Sequence, residues 1–156
     1  MIKGLYEAHL PVKDRKKALA FYEGLGLPLA FEGHRVTFVW IEKGKSWLGL
    51  WDSDEVNLPY HPSIRHIAFQ VDKDDLRRSQ EWLDELGIEV KTTFGVSPED
   101  QPLVLSNLPH GHGAIYFDDP DGNSLELIPP LELDTYEERE IIPFEEWDRA
   151  TQRGNG

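Results

Sequence analysis

The 156-residue chain contains no cysteine, which excludes disulfides, thiolate metal sites and cysteine nucleophiles. It also has no hydrophobic run approaching the ~20 apolar residues that a membrane-spanning helix needs. The first residues, MIKGLY, lack the apolar core of a signal peptide. We therefore expect a soluble cytoplasmic protein with no membrane partner.

Positive charge is scarce. The chain has 16 lysines and arginines against 29 aspartates and glutamates, which gives a formal net charge of −13. A protein that binds nucleic acid needs a basic surface to neutralise phosphates, so we expect no nucleic-acid partner. Many of the acidic residues lie in the C-terminal part, where such a run is ordinarily a solvated surface.

What the chain does contain is enough apolar sequence, 39%, for one domain with a core. Its first part reads as a strand, a helix and three further strands. Asp14 is a candidate helix N-cap, and Gly26 follows the last periodic apolar residue. The predicted elements are a strand over 5–12, a helix over 13–25, and strands over 27–33, 35–42 and 46–51.

The same order begins again after a Pro- and Asp-rich loop over 52–63. Each copy has a histidine on its first strand and a Leu-Gly pair after its helix, which indicates a duplicated unit. The second copy reads as a strand over 64–71, a helix over 72–87, a strand over 88–94, a polar loop over 95–112 and a hairpin over 113–129. We predict a single domain over 1–130, with module one at 5–52 and module two at 64–129. A tail over 131–156 contains a short helix near 143–152.

Three ionisable residues, His9, His66 and Glu126, lie on the strand faces opposite the more apolar ones, because side chains alternate along a strand. If the strands curl into a trough, all three project into its concave side. A lone residue of this kind is ordinarily hydrogen-bonded or exposed. Together, two imidazoles and a carboxylate form a facial set for a divalent metal and leave coordination positions open for substrate.

The stretches EAHLPV, RHIAFQV and IYFDDPDGNSLELI resemble the vicinal oxygen chelate superfamily. That superfamily includes glyoxalases, extradiol dioxygenases, fosfomycin-resistance enzymes, epimerases and bleomycin-binding proteins. The resemblance implies an α+β fold. Its two βαβββ modules form an open, U-shaped, eight-stranded mixed sheet, to which this chain adds a short C-terminal extension.

The resemblance also implies that His9, His66 and Glu126 are the metal ligands. Gly49 aligns with Glu126, where the four-ligand glyoxalases have a further ligand, so the three-ligand arrangement of the fosfomycin enzymes and dioxygenases is the nearer one. The family often forms homodimers, and we expect one here. Whether the site closes within one chain or across a dimer stays open.

Further candidates surround this set. Trp47 and Trp51 share strand parity with Gly49, and these three are candidate substrate-binding residues, with core packing as the alternative for the tryptophans. Glu7, His110, His112 and Tyr116 are candidate catalytic residues for moving protons. A salt bridge or a solvated position is the alternative for Glu7, and simple exposure is the alternative for the loop histidines.

The sequence thus predicts an enzyme that depends on a divalent metal, either Zn, Ni, Mn or Fe(II), and that chelates a small oxygen-rich substrate. Stabilising an oxyanion or enolate suits isomerisation, ring opening or addition–elimination, the work of a lyase or isomerase, a transferase or a dioxygenase. One alternative is a non-catalytic protein that sequesters a small aromatic or toxic compound. Others are a small extradiol-type dioxygenase and a family member whose metal is structural.

Overall fold

A computed structural model describes residues 7–53, 66–106, 111–133 and 141–154 of the chain. These divide into two compact units. Unit 1 is Met1–Arg65 with Asp119–Asn123, and unit 2 is His66–Asp118 with Ser124–Gly156. Each unit contains its own open mixed sheet, with one helix described in unit 1 and two α-helices in unit 2, so the predicted α+β class is confirmed. No helix in the described ranges has both the length and the apolar character to cross a membrane.

Unit 1 has a four-stranded sheet in the order β1-β4-β3-β2, with β1 and β4 parallel and the other pairs antiparallel. One face of the sheet packs against α1 and buries Val39, Leu48 and Leu50. The Asp14 carboxylate caps α1 by accepting from the backbone N–H groups of Lys16 and Lys17. The elements are β1 Glu7–Val12, α1 Arg15–Gly24, β2 Leu29–Glu32, β3 Val36–Glu42 and β4 Ser46–Asp52.

The turn Asp119–Asn123 belongs to unit 1 through a buried carboxylate. Asp119 is 4% exposed and accepts hydrogen bonds from the Tyr22 hydroxyl at 2.9 Å and the Asn123 amide at 2.6 Å. Its other oxygen accepts from the backbone N–H groups of Asp121 and Asn123. Burial raises the pKa of Asp119, although these hydrogen bonds act in the opposite direction.

Unit 2 has a five-stranded sheet in the order β5-β8-β7-β6-β9, with β5 and β8 parallel. Helix α2 packs on β7 and β8 through buried Leu76, Ser79 and Leu83. Gly113 lies under this helix, because a Cβ there would approach Leu76 Cδ2 to 2.3 Å. The elements are β5 His66–Gln70, α2 Lys73–Glu85, β6 Leu103–Leu105, β7 His112–Asp118, β8 Ser124–Ile128, β9 Ile141–Pro143 and α3 Phe144–Gly154.

Two stretches of unit 2 differ from the sequence-based expectation. The stretch 88–94 forms only isolated bridges, because Phe94 and Gly95 adopt positive φ angles of 53° and 77° and turn the chain. The second strand of the module is instead β6, inside the stretch predicted as a loop. With β9 from the C-terminal extension pairing on β6, the described ranges contain nine strands where eight were predicted.

Candidate functional site

Glu126 lies in the middle of β8 and is 5% exposed. Its Oε2 lies 3.0 Å from His66 Nε2. Because an ionised carboxylate has no hydrogen to donate, the His66 Nε2–H is the donor. The other oxygen, Oε1, is buried and has no hydrogen-bond partner in the described part of the chain. A buried acceptor without a donor is costly, so this oxygen marks the place where a ligand would be stabilising.

The second nitrogen of His66 contacts a small polar network. His66 Nδ1 lies 3.2 Å from the Ser124 hydroxyl oxygen, which also accepts a hydrogen bond from Lys91 Nζ at 3.1 Å. Lys91 is further paired with Asp118. Since the Ser124 hydroxyl both donates and accepts, it supports either neutral tautomer of His66.

His112 and Tyr116 lie near Glu126 in the same unit. His112 is the first residue of β7 rather than a loop residue, and its Nε2 is 3.9 Å from Glu126 Oε1. Tyr116 is the β7 partner of Glu126 in the antiparallel register and is 7% exposed. Its ring meets Phe94 edge-to-face, so packing holds it in place. His110 lies outside the described residues.

His9 lies in unit 1, on β1 beside Gly49 of β4. The Trp51 indole Nε1–H donates a hydrogen bond to His9 Nδ1 at 2.7 Å. A Cβ at Gly49 would lie 2.3 Å from the same nitrogen, so the glycine leaves the space that the imidazole fills. Phe38 meets the His9 ring edge-to-face at a centroid distance of 5.9 Å.

Aromatic side chains surround His9 on the sheet face opposite α1. Trp47 lies 4.8 Å from Phe38 and stacks on Trp40 at 5.2 Å, both between ring centroids. Trp47 and Trp51 are among the predicted site residues. Phe38 and Trp40 were not predicted, although strand alternation on β3 places both on this face. The backbone of Glu7 pairs with Trp47, while the Glu7 side chain lies outside what the structure describes.

The predicted site residues therefore form one group in each unit. His66, His112, Tyr116 and Glu126 meet in unit 2, and His9, Gly49 and Trp51 meet in unit 1. Across the described ranges, no three His, Asp or Glu side chains are gathered closely enough to hold a metal ion. The three-ligand metal site stays a prediction. Ser124 and Lys91 also lie at this site but were not predicted, because neither belongs to a motif.

Comparison with known proteins identifies relatives along most of the chain. A metallothiol transferase FosB of Staphylococcus saprophyticus is 25% identical over 163 aligned positions, covering 99% of this chain and 98% of the relative. A crystal structure of an integron cassette protein from the mobile metagenome of a Halifax Harbour sewage outfall is 27% identical, with a TM-score of 0.61. That match covers 82% of this chain and 99% of the cassette protein.

The fold is shared with a fosfomycin resistance protein as well. The crystal structure of FosX from Mesorhizobium loti matches with a TM-score of 0.58 and 23% identity, covering 85% of this chain and 96% of that one. A family model described as Glyoxalase/Bleomycin resistance protein/Dioxygenase superfamily matches residues 4–127. These findings confirm the resemblance seen in the sequence. The chain belongs to the glyoxalase, bleomycin resistance protein and dioxygenase superfamily.

Proposed function

We propose that this protein is a divalent-metal-dependent enzyme that acts on a small oxygen-rich molecule, with His9, His66 and Glu126 as its metal ligands. The observation that carries the proposal is Glu126 Oε1, a buried carboxylate oxygen without a hydrogen-bond donor among the described residues. A cation supplies the positive charge that a carboxylate at 5% exposure otherwise lacks.

The donor set fits a metal chemically. Two imidazoles and a carboxylate suit divalent Mn, Fe, Ni or Zn. With the single proton of the neutral imidazole on Nδ1, where the Ser124 oxygen at 3.2 Å accepts it, His66 Nε2 would offer its lone pair to a cation. Hydrogen-bonded support of a ligating histidine of this kind is typical of metal sites.

A bound divalent cation would supply Lewis-acid stabilisation of negative charge on substrate oxygens. The chain's own residues would orient the substrate and move protons. Among the described residues, His112 is the candidate for holding a proton beside the reacting oxygens of the substrate, because its Nε2 lies 3.9 Å from Glu126 Oε1. Trp47 and Trp51 are the candidates for walls that position the substrate and exclude water.

Thiol addition to fosfomycin is the first reaction to assay, because a metallothiol transferase FosB aligns with 99% of this chain and a fosfomycin resistance protein FosX shares its fold. Protein purified without added metal should contain a divalent metal by elemental analysis, or bind one after treatment with a chelator. Adduct formation from fosfomycin and a small thiol, followed by NMR, should require that metal. Protein that neither contains nor binds a divalent metal would contradict the proposal.

The variant Glu126→Gln tests metal binding in a protein that should remain folded. It removes the charge but keeps the shape, so the protein should stay folded by circular dichroism while its metal affinity falls. Glu42→Gln is the matched control, the same substitution at an exposed strand residue that pairs with Lys45. Unaltered metal affinity in the glutamine variant would show that the wrong carboxylate was chosen.

A second candidate function is sequestration of an aromatic compound without turnover. The aromatic face formed by Phe38, Trp40, Trp47 and Trp51 favours it, since such rings stack on planar ligands. Tight binding of aromatic compounds in the presence of a chelator, with no reaction after metal is restored, would support this candidate over the enzyme.

A further inference from the structure

The hydrogen bond between Trp51 and His9 fixes the proton positions on His9. An indole nitrogen only donates, so His9 Nδ1, at 2.7 Å from Trp51 Nε1, must offer a lone pair. The proton of the neutral imidazole is then on Nε2. Turning the ring by 180° would place a carbon, Cδ2, against the indole N–H and lose the bond. The chemistry of the pair therefore assigns the tautomer.

This tautomer leaves His9 without a lone pair for a metal. Nδ1 is occupied by the indole, and Nε2 carries the hydrogen, whereas metal ligation requires an unprotonated ring nitrogen. His66 is held differently, because its neighbour Ser124 donates or accepts as needed. The two predicted histidine ligands thus differ in how readily they can exchange a proton for a cation.

We propose that Trp51 competes with the metal for His9, so that cation binding at His9 requires the indole N–H to leave Nδ1. The inference rests on the proposed function, since it takes His9 to be a metal ligand. Trp51 is then a positioning residue that sets the metal affinity of the site and changes its own hydrogen bonding when the metal binds.

The surroundings indicate that the indole moves rather than the imidazole. The His9 ring lies against Gly49, where even a methyl group would come within 2.3 Å of Nδ1, and Phe38 meets it on another side. Trp51 is 41% exposed on the face opposite α1. A half-exposed side chain changes rotamer without disturbing the core, so Trp51 can move away from His9 at a low cost in free energy.

Trp51→Phe tests the competition, because it removes the N–H donor and keeps an aromatic ring. Isothermal titration of chelator-stripped protein with Zn²⁺ and with Mn²⁺ should show tighter binding by the variant, by about 3- to 10-fold, the usual net effect of one hydrogen bond. The control is Trp82→Phe, the same substitution on helix α2 and outside the aromatic face. Its metal affinity should equal that of the parent protein.

Nuclear magnetic resonance supplies a second readout that does not depend on affinity. In metal-free protein, the nitrogen shifts of His9 should show Nδ1 as the unprotonated nitrogen, and the Trp51 indole N–H should resonate as a hydrogen-bonded donor. Saturation with Zn²⁺ should move that indole signal to the position of a solvated one. The Trp40 indole signal serves as the reference.

The possible results separate the two proposals. If the parent protein binds metal and Glu126→Gln weakens it, but Trp51→Phe binds equally or more weakly, the competition is wrong and the proposed function stands. An indole signal unchanged by saturating Zn²⁺ overturns the competition as well. If the parent protein binds no divalent metal, both proposals fail.

Discussion

At the scale of single residues, Ser124 shows how a side chain outside any motif supports a candidate site. Its hydroxyl lies between Lys91 Nζ and His66 Nδ1, at 3.1 and 3.2 Å. It thereby orients the imidazole whose other nitrogen contacts Glu126. Losing such a supporting hydrogen bond typically weakens metal binding by 10–100-fold.

We therefore expect Ser124→Ala to bind Zn²⁺ about 10- to 100-fold more weakly than the parent protein, with a thermal unfolding midpoint in the absence of metal close to the parent value. Ser97→Ala is the control, since the Ser97 hydroxyl donates to Asp100 and makes no hydrogen bond to His66 in the described part of the chain. Isothermal titration measures the affinities. Equal affinities for the two alanine variants would show that Ser124 does not support the ligand.

Asp119 gives a prediction about stability and pH. Alanine offers no acceptor where Asp119 uses two oxygens, so Asp119→Ala leaves donors from Tyr22, Asn123 and the backbone without an acceptor. We expect a loss of about 1–3 kcal/mol of unfolding free energy, measured by urea denaturation at neutral pH. Asp118→Ala, at the exposed neighbouring carboxylate, should cost less.

The pH dependence of this variant has a definite sign. Burial raises the pKa of Asp119, so the folded state holds the proton more tightly than the unfolded state does. The ionised form therefore costs stability above that raised pKa, and the cost is relieved as the pH falls through it. The parent protein should gain stability relative to Asp119→Ala as the pH is lowered from 7 toward the usual carboxyl range. A constant difference across that range would contradict the raised pKa.

At the scale of elements, an ionic cluster around Asp148 joins α3 to α2 within unit 2. Arg77 of α2 donates to Asp148 Oδ2 through Nε and Nη2, at 3.1 and 2.8 Å, and Lys73 Nζ lies 3.4 Å from Oδ1. Burial acts to raise the pKa of Asp148, but the hydrogen bonds and charges of Arg77 and Lys73 outweigh it and lower that pKa.

Asp148→Asn should therefore destabilise the protein at neutral pH by about 1–2 kcal/mol, a value reduced because Arg77 is partly exposed. A lowered folded-state pKa means that the stabilisation is present above the usual carboxyl pKa and is lost as the pH falls through the lowered one. The difference between parent and variant should shrink in acid, the opposite of the Asp119 case. Urea denaturation at pH 7 and pH 3 measures it, and a difference that grows in acid would contradict the assignment.

Elements with strong periodicity could be predicted from the sequence, and elements decided by tertiary pairing could not. The apolar spacing of α1, the Asp14 cap and the strand pattern of β8 are local signals, and each matches the structure, although β8 is buried along both of its faces. The stretch 88–94 has strand-like composition, yet the left-handed conformation at Phe94 turns the chain. Strand β6 is only three residues long and exists because β7 and β9 pair on its two sides.

The candidate site shows the same division. Strand parity placed His66 and Glu126 on one face, and the structure brings them to 3.0 Å. Parity alone carries no information about rotamers, so it missed the Trp51–His9 hydrogen bond and the Ser124 contact. It also gave no reason for Gly49, whose role becomes clear only when the His9 ring is seen to fill the space above it.

At the scale of the whole molecule, bound metal should stabilise the fold if it binds only the folded state. A ligand at 100 times its dissociation constant adds ~2.7 kcal/mol to the unfolding free energy. Treatment of the metal-loaded protein with EDTA should therefore lower its thermal unfolding midpoint, measured by calorimetry. Glu126→Gln should show a smaller change, and equal changes in the two proteins would indicate that the metal binds elsewhere.

The predicted homodimer is also a property of the whole molecule. Light scattering coupled to size-exclusion chromatography should give a mass near twice the 17.9 kDa of one chain. The same measurement after chelation tests whether the metal contributes to association. A single-chain mass at micromolar concentration would contradict the dimer.

The turn Asp119–Asn123 has a consequence for how the gene could be divided. It belongs with the first 65 residues by its contacts, yet it is encoded more than fifty codons later. A polypeptide terminated after residue 65 would deprive the Tyr22 hydroxyl, the Lys13 amide and the Pro11 carbonyl of the groups they bond to. A fragment of residues 1–65 should therefore be less stable than unit 1 in the whole protein. Attaching residues 119–123 to that fragment through a linker should restore these hydrogen bonds.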